Sequence, residues 1–402
     1  METGTLTGMD ISSMEPMLPA EAERSLDDVT FELVREASML AGRVHPIVQE
    51  AIGALVRSMN CYYSNLIEGH DTHPRDIDRA LARDFSAEPR KRALQLEAVA
   101  HIDVQRRIDL GEDPQDWPAS RAYAEWLHRA FCEKLPDELL WVENPDTGER
   151  LRVVPGELRQ REVMVGRHLP PEVNDLPRFL ARFEEAYNPA RLNQMRRVES
   201  VGAVHHRLLW IHPFLDGNGR VTRLMSHALF KRLGIGTSLW SVSRGLARDA
   251  QRYKALLAVA DGPRRGDRDG RGALTQAGLV EFCDFFLRTC VDQVRYMASI
   301  LQPQELLRRI EAYTDDEARV GRLPKGAFPI LREALLTGEL SRGEAGRLTG
   351  YQERKGREVV ASLLAKGLLV ATTPSHKSAV RLGFPIDVVE RWFPRLYPVG
   401  LS

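Results

Sequence analysis

Apolar residues recur three and four positions apart through the first hundred residues of the chain. One such series runs through Leu33, Val34, Ala37, Leu40 and Ala41. Because this spacing places apolar side chains on one face of a helix, it predicts a helical block over residues 22–110. Residues 1–21 are rich in Met, Gly, Ser, Thr and Pro without periodicity. We interpret them as a mobile tail.

The pattern changes in the middle of the chain. Residues 151–166 mix Val and Met with a Pro-Gly pair, which predicts short strands joined by a turn. Helical spacing then resumes and is interrupted at residues 212–219, so two helices are expected to frame a loop there. The helices predicted in this part of the chain cover 118–135, 172–187, 196–209, 220–233, 246–260 and 277–301.

Residues 304–402 show a third pattern. After a linker helix, a short helix is predicted at 341–348, a second helix at 352–366 and a two-stranded segment at 369–382. This is the order of a winged helix-turn-helix.

Charge in this last unit permits more than one kind of partner. Residues 341–402 carry ten basic and five acidic side chains, a net charge of +5. Arg354, Lys355 and Arg357 near the start of the candidate recognition helix would suit DNA binding. Glu353 and Glu358 dilute that basic face, and winged helices also dock proteins or form dimers. DNA binding and protein docking both stay open.

The overall composition is that of a globular protein. The chain has 402 residues, 43% of them hydrophobic and 28% charged, with 56 basic and 56 acidic side chains, which argues against a disordered chain. No stretch approaches the ~20 apolar residues that span a bilayer, and no secretory signal is visible, so a cytoplasmic protein is expected. Reduced, mostly buried thiols are predicted for the four cysteines, Cys61, Cys132, Cys283 and Cys290.

The loop and the helix after it, HPFLDGNGRVTR at 212–223, concentrate residue types that bind phosphate. Gly217 and Gly219 let the main chain approach an anion closely. A helix starting at Gly219 or Arg220 would direct its free N–H groups at that anion. Arg220 and Arg223, three residues apart, would share one helix face and present two guanidinium groups to neighbouring phosphates.

Three further loop residues complete the candidate site. Asp216 offers the hard oxygen that Mg²⁺ prefers, although a turn-forming or capping role is an equal alternative. His212 could accept a proton from an attacking hydroxyl, and the following Pro213 is expected to hold it in an extended backbone, away from any helix. Phe214 is expected to anchor the loop in the core.

The motif HPFLDGNGR resembles the Fic family signature, with its His, Phe, acidic residue and GNGR run at these spacings. The resemblance implies that His212 is the catalytic base, that Asp216 holds Mg²⁺ or Mn²⁺, and that ATP is the substrate. It also assigns the triphosphate to Gly217, Asn218, Gly219, Arg220 and Arg223.

The family resemblance extends to an upstream segment. Ser64, Glu68 and Gly69 match the family's inhibitory pattern, which implies that the Glu68 carboxylate pairs with Arg223 and occupies the space of the γ-phosphate. The alternative is that Glu68 is only a surface charge at a helix end.

A second upstream segment, Pro155 to Gly166, corresponds in position to the family's flap hairpin. An edge strand there could dock a target peptide through Glu157, Arg159 and Val163. A purely structural hairpin is the alternative.

Together these features predict a mainly α fold: a Fic-type helical bundle with a small β-hairpin flap, and a C-terminal winged helix. The domains expected after the tail are the helical block at 22–110 with the inhibitory helix, a catalytic core at 111–303, and a linker with the winged helix at 304–402.

The resemblance implies a protein adenylyltransferase that moves AMP from ATP to a Ser, Thr or Tyr hydroxyl of a protein target, itself included. Two alternatives stay open: the same site could remove AMP or transfer another phosphate-bearing group, or the chain could be a DNA-binding regulator that senses nucleotides. Homodimer formation also stays open, and no membrane partner is expected.

Overall fold

A computed structural model describes residues 9–20, 24–70, 72–144, 147–236, 238–375 and 377–398. Over these residues the chain is mainly helical, as predicted. The helices are α1 (Arg24–Ala41), α2 (Pro46–Ile67), α3 (Pro74–Leu81), α4 (Pro89–Leu110), α5 (Arg121–Cys132), α6 (Leu176–Ala186), α7 (Gln194–Ile211), α8 (Asn218–Arg232), α9 (Val242–Arg248), α10 (Ala250–Ala260), α11 (Gln276–Ile300), α12 (Pro303–Arg319), α13 (Ala327–Thr337), α14 (Ala345–Thr349), α15 (Glu353–Ala365) and α16 (Ile386–Trp392).

Five short strands accompany these helices. They are β1 (Trp141–Glu143), β2 (Arg150–Arg152), β3 (Glu339–Leu340), β4 (Leu369–Ala371) and β5 (Val380–Leu382). β1 and β2 form an antiparallel hairpin, and the other three form a second antiparallel sheet in the order β3-β5-β4.

The centre of the molecule is built on α7, α8 and α11. α7 packs against both α8 and α11, while α1 and α10 cover α11. α8 is enclosed further by α4 and α5, so almost every residue from Asn218 to Phe230 is buried. The loop between α7 and α8 therefore starts and ends in rigid, buried helices.

The inhibitory pattern lies at the end of α2, a helix with clear start and stop signals. The His45 ring accepts a hydrogen bond from the N–H of Ile47 at 3.3 Å, and Pro46 occupies the first helical position, where its missing N–H has no cost. Gly69 follows the helix with φ +81°, a conformation that glycine adopts without strain.

The interpretation of residues 1–21 as a mobile tail is wrong for residues 9–20; residues 1–8 and residue 21 lie outside the described residues. Met14 and Met17 are buried in the core. The Glu15 carbonyl accepts a hydrogen bond from the N–H of Leu274 at 2.8 Å, and the Pro16 carbonyl accepts one from the Arg207 guanidinium at 2.7 Å. The prediction failed because it rested on the polar composition of the segment, whereas Met14 and Met17 anchor the segment by packing against the helical core.

Two details of the predicted secondary structure also need correction. The hairpin lies at 141–152 and overlaps the predicted strands only at residues 151 and 152. Within 155–166 the only bridge is the one that Val165 forms with His168, just beyond the segment. That segment bonds instead to the loop of residues 212–219, with the N–H of Arg159 donating to the Pro213 carbonyl at 2.9 Å. The helix expected at 246–260 is two helices, because Asp249 leaves the helical conformation with φ −128° and ψ 47°.

The C-terminal residues follow the predicted order of helices and strands, and they pack against α2. α14 and α15 precede the antiparallel pair of β4 and β5. The Tyr63 hydroxyl, on α2, donates to the Leu396 carbonyl at 3.1 Å. On α15, Arg354 pairs with Glu358 and Arg357 pairs with Glu353, so part of the basic face is neutralised. The winged-helix and DNA-binding assignments stay predictions.

The four cysteines are free and buried, as predicted. Among the described residues, no helix is both long enough and apolar enough to cross a membrane.

Candidate active site

His212 lies directly at the end of α7. Its backbone is left-handed, with φ 48° and ψ 60°, and its N–H donates to the Leu208 carbonyl at 3.0 Å. The extended conformation expected ahead of Pro213 is therefore wrong, since the helix end imposes a left-handed residue there. This conformation is uncommon for a residue other than glycine.

The His212 imidazole is half-buried, and its Nδ1 is shielded from solvent. Burial lowers its pKa to about 4, and the charge of Arg159 acts in the same direction. The ring is consequently neutral near pH 7 and able to accept a proton.

The loop after His212 is closed by its own polar groups. Gly217 has φ +79° and precedes α8, which begins at Asn218. The Asn218 side chain accepts a hydrogen bond from the N–H of Phe214 at 3.0 Å and donates one to the Phe214 carbonyl at 2.8 Å. Both the oxygen and the nitrogen of the Asn218 amide thus hold the loop in place. The first N–H groups of α8 follow directly after Gly217.

Phe214 is fully buried, as expected, and stacks on His128 of α5. The two ring centroids are 4.1 Å apart and the planes are nearly parallel. The His128 Nδ1 accepts a hydrogen bond from the N–H of Gly156 at 2.9 Å, and burial lowers the pKa of His128 to about 4. Nothing in the sequence marks this neutral histidine, which lies more than eighty residues before the loop.

Arg223 is bound by the end of α2. Its Nε donates to the Ser64 hydroxyl at 2.9 Å, and its Nη2 lies 2.5 Å from Glu68 Oε1. Burial alone would raise the pKa of Glu68, but the Arg223 and Arg220 charges outweigh it and hold the pKa below its ordinary value. Glu68 is therefore ionised and paired with Arg223, as the family resemblance implies.

Arg220 is paired with a different carboxylate. Its Nη2 forms an ion pair with Glu97 on α4 and lies 2.9 Å from His70 Nδ1. Glu97 is almost fully buried, and Arg220 and His70 keep its pKa below the ordinary value against the effect of burial. Glu97 could not be recognised from the sequence, because nothing in a helix marks one glutamate as the partner of a residue 123 positions later.

The Glu68 carboxylate lies over the first turn of α8. A Cβ added to Gly219 would overlap Glu68 Oε1 and would lie 3.2 Å from Glu68 Cδ and 3.1 Å from Arg223 Nη1. An anion bound by the first N–H groups of α8 would need this space. Glu68 thus supplies a negative charge where a phosphate is expected.

Asp216 is exposed at the loop surface beside this helix start. Among the described residues, no group of three or more His, Cys, Asp or Glu side chains could hold a metal ion. A single exposed carboxylate fits Mg²⁺, which often binds through one or two carboxylates and the phosphates of its substrate.

The three predicted flap residues differ in accessibility. Glu157 is exposed and Val163 is half-buried. Arg159 is buried and donates from Nε to the His212 carbonyl at 2.9 Å. The docking role predicted for Arg159 is therefore wrong, because its side chain faces the loop of residues 212–219 and cannot reach a peptide at the surface.

Residues 119–230 match the family model described as "Fic/DOC family". This part of the chain is a Fic/DOC domain. A protein named "Protein adenylyltransferase Fic" from Drosophila grimshawi is 42% identical over 79 residues, 20% of this chain. The protein of that name from Drosophila melanogaster is 40% identical over 79 residues. The matched residues span 16% of the length of each of these relatives.

Solved structures support the fold of the Fic/DOC domain and its surroundings. A Fic family protein from Desulfovibrio desulfuricans is 18% identical with a TM-score of 0.52, over 92% of this chain and 98% of that one. A Fic domain containing signaling protein from Bacteroides thetaiotaomicron is 18% identical with a TM-score of 0.50, over 68% of this chain and 98% of that one. The helical fold thus extends beyond the matched domain.

Proposed function

We propose that this chain is a protein adenylyltransferase, which moves AMP from ATP to a hydroxyl side chain of a protein. One observation carries the proposal: a neutral His212 directly precedes the loop whose glycine turn begins α8. The partial match to proteins named adenylyltransferases supports the same reaction.

In the proposed reaction, His212 removes the proton from the target hydroxyl. The hydroxyl oxygen forms a bond to the α-phosphorus of ATP while the bond from that phosphorus to the β-phosphate breaks. The target keeps AMP as a phosphodiester, pyrophosphate leaves, and the proton passes from His212 to solvent. Such an in-line transfer depends on positioning and charge neutralisation.

The other loop residues supply that positioning. The N–H groups of the first turn of α8 and the Arg223 guanidinium bind the phosphates, and Arg220 adds a positive charge beside them. Asp216 would hold Mg²⁺ or Mn²⁺, which supplies further neutralisation of phosphate charge when bound.

Glu68 holds the resting protein at low activity in this proposal. Its carboxylate pairs with Arg223 and lies over Gly219, so the γ-phosphate must displace it. A hydrogen bond to a charged group contributes about 1.5–3 kcal/mol, and 1.4 kcal/mol corresponds to tenfold in affinity. Removing Glu68 should therefore raise AMP transfer at least about tenfold.

The test is mass spectrometry of the purified protein after incubation with ATP and Mg²⁺. The Glu68→Gly variant should add AMP to itself, or to proteins of an added extract, faster than the wild type does. Each modified protein should gain the mass of one AMP group. Glu133→Gly is a matched control, because Glu133 also follows the last residue of a helix and should leave the rate unchanged.

Adding His212→Ala to Glu68→Gly should abolish transfer. If Glu68→Gly instead transferred a different group from another labelled nucleotide, or only removed AMP from a modified protein, the reaction proposed for this site would be wrong. An equal rate in wild type and Glu68→Gly would contradict the role of Glu68.

A further inference from the structure

Arg159 is a buried cation in a loop without regular secondary structure. Its side chain is 0% exposed, and the one carboxylate that pairs with it among the described residues, Glu162 at 3.3 Å, is itself 62% exposed. Burial lowers the pKa of Arg159. Keeping a charge in such a place is costly unless its hydrogen bonds are all used.

Apart from the Glu162 carboxylate, the acceptors of the Arg159 guanidinium are main-chain carbonyls. Nε donates to the His212 carbonyl at 2.9 Å, Nη1 donates to the Arg161 carbonyl at 3.0 Å, and Nη2 donates to the Pro171 carbonyl. The N–H of Arg159 also donates to the Pro213 carbonyl at 2.9 Å. One residue thereby binds two consecutive carbonyls of the active-site loop and two of its own segment.

The His212 carbonyl is the critical acceptor among these. His212 is left-handed at the end of α7, where carbonyls lack helical partners, and a non-glycine residue in that conformation needs surrounding contacts to hold it. A change in the backbone angles of His212 would change the direction of its imidazole. Arginine has a planar set of five donors in fixed directions. The hydrogen bonds from Arg159 to the His212 and Pro213 carbonyls therefore hold this part of the main chain in place.

We propose that Arg159 is a positioning residue, which fixes the His212 main chain and thereby the direction in which the imidazole leaves the end of α7. Its kinetic consequence rests on the adenylyltransferase function proposed above. Within the part of the chain that the structure describes, Arg159 forms no hydrogen bond or ion pair with residues 217–223, so it should influence the chemical step and leave nucleotide binding almost unchanged.

The kinetic test compares Arg159→Gln and Arg159→Lys in the Glu68→Gly background. We expect kcat to fall about 30- to 100-fold, since misplacement by about 1 Å can cost 10²-fold. The KM for ATP and the Kd of ATP measured by calorimetry should change less than twofold. Arg161→Lys is the matched control, because Arg161 lies on the same loop with an exposed side chain and should keep full kcat.

A second measurement separates this inference from the proposed function. The rate at which diethylpyrocarbonate modifies His212, followed by mass spectrometry, should change at least threefold in Arg159→Gln and remain unchanged in Arg161→Lys. If Glu68→Gly transferred no AMP, the proposed function would fall while this rate would still report on Arg159. An unchanged rate would overturn the positioning role.

A third measurement covers the case in which both Arg159 variants fail to fold. In the wild-type protein, the Nε–H of Arg159 should exchange with solvent at least tenfold more slowly than that of the exposed Arg161, as measured by NMR. Equal exchange rates would show that the bond to His212 is not maintained. A kcat loss matched by an equal rise in the Kd of ATP would also refute the proposal.

Discussion

Replacing Gly219 with alanine tests the position of Glu68 without any measurement of activity. Gly219 lies in the first turn of α8, and the Cβ of the new side chain would overlap the Glu68 carboxylate. Since the atom in the way is the far end of a side chain, Glu68 can move aside. We expect it to leave Arg223 when it does so.

The size of the effect follows from two opposing contributions. Alanine is more favourable than glycine within a helix by about 0.5–1 kcal/mol. Separating Glu68 from Arg223 costs about 1–2 kcal/mol, below the value for a fully buried pair, because Glu68 is 30% exposed and Arg223 keeps its bond to Ser64. In the wild-type background the free energy of unfolding should therefore fall by up to about 1.5 kcal/mol.

In the Glu68→Gly background there is no carboxylate for the new methyl group to displace. Gly219→Ala should then raise the free energy of unfolding by about 0.5–1 kcal/mol. Urea unfolding of the four proteins gives the coupling energy, which we expect to be about 1–2 kcal/mol. Additivity within about 0.3 kcal/mol would mean that Glu68 does not lie over Gly219, and the inhibitory mechanism would lose its geometric basis.

Three further changes test other parts of the structure. His101 is fully buried, and burial together with neighbouring positive charges lowers its pKa to about 3. In the unfolded chain this histidine binds a proton below about pH 6.5, whereas in the folded protein it stays neutral down to about pH 3. The wild type should thus lose about 2 kcal/mol more stability than His101→Leu between pH 7 and pH 5 in urea unfolding, and equal losses would refute a neutral His101. Asp216→Asn should raise the Mg²⁺ concentration for half-maximal AMP transfer about tenfold or more. The melting temperature should not change, because Asp216 is exposed. An unaltered Mg²⁺ dependence would exclude Asp216 as the ligand. Tyr63→Phe removes the donor to the Leu396 carbonyl and should lower the free energy of unfolding by about 1–2 kcal/mol, and a change below about 0.3 kcal/mol would indicate that this contact with α2 is weak.

The parts of the site that the sequence predicted share one property: their residues are close together along the chain. His212, Asp216 and Arg223 lie within twelve residues of each other, and the glycine turn fixes their local geometry. The pairing of Glu68 with Arg223 was reached only through the family resemblance. Residue spacing carries no information about which two helices come into contact.

The residues that sequence reasoning missed act through tertiary contacts. Glu97 and His128 belong to ordinary helices, and Arg159 was assigned to a surface flap. Each acquires its role because the fold buries it against the α7–α8 loop or α8. A buried Arg and an exposed Arg are identical in a sequence, and an irregular segment with valines resembles a strand when its hydrogen-bond partners are unknown.

The carboxylates that pair with Arg220 and Arg223 differ in burial, and this difference decides which arginine can exchange its carboxylate for a phosphate of the nucleotide. Glu97 is 3% exposed in the middle of α4, whereas Glu68 is 30% exposed just after the end of α2. Displacing Glu97 would leave a carboxylate buried without a partner, which costs more than moving Glu68 toward water. We therefore expect Arg220 to keep Glu97 when phosphate binds, acting as a fixed positive charge, while Arg223 exchanges Glu68 for the incoming phosphate. Control of the site would then act on the end of α2 alone, the helix against which the C-terminal unit packs.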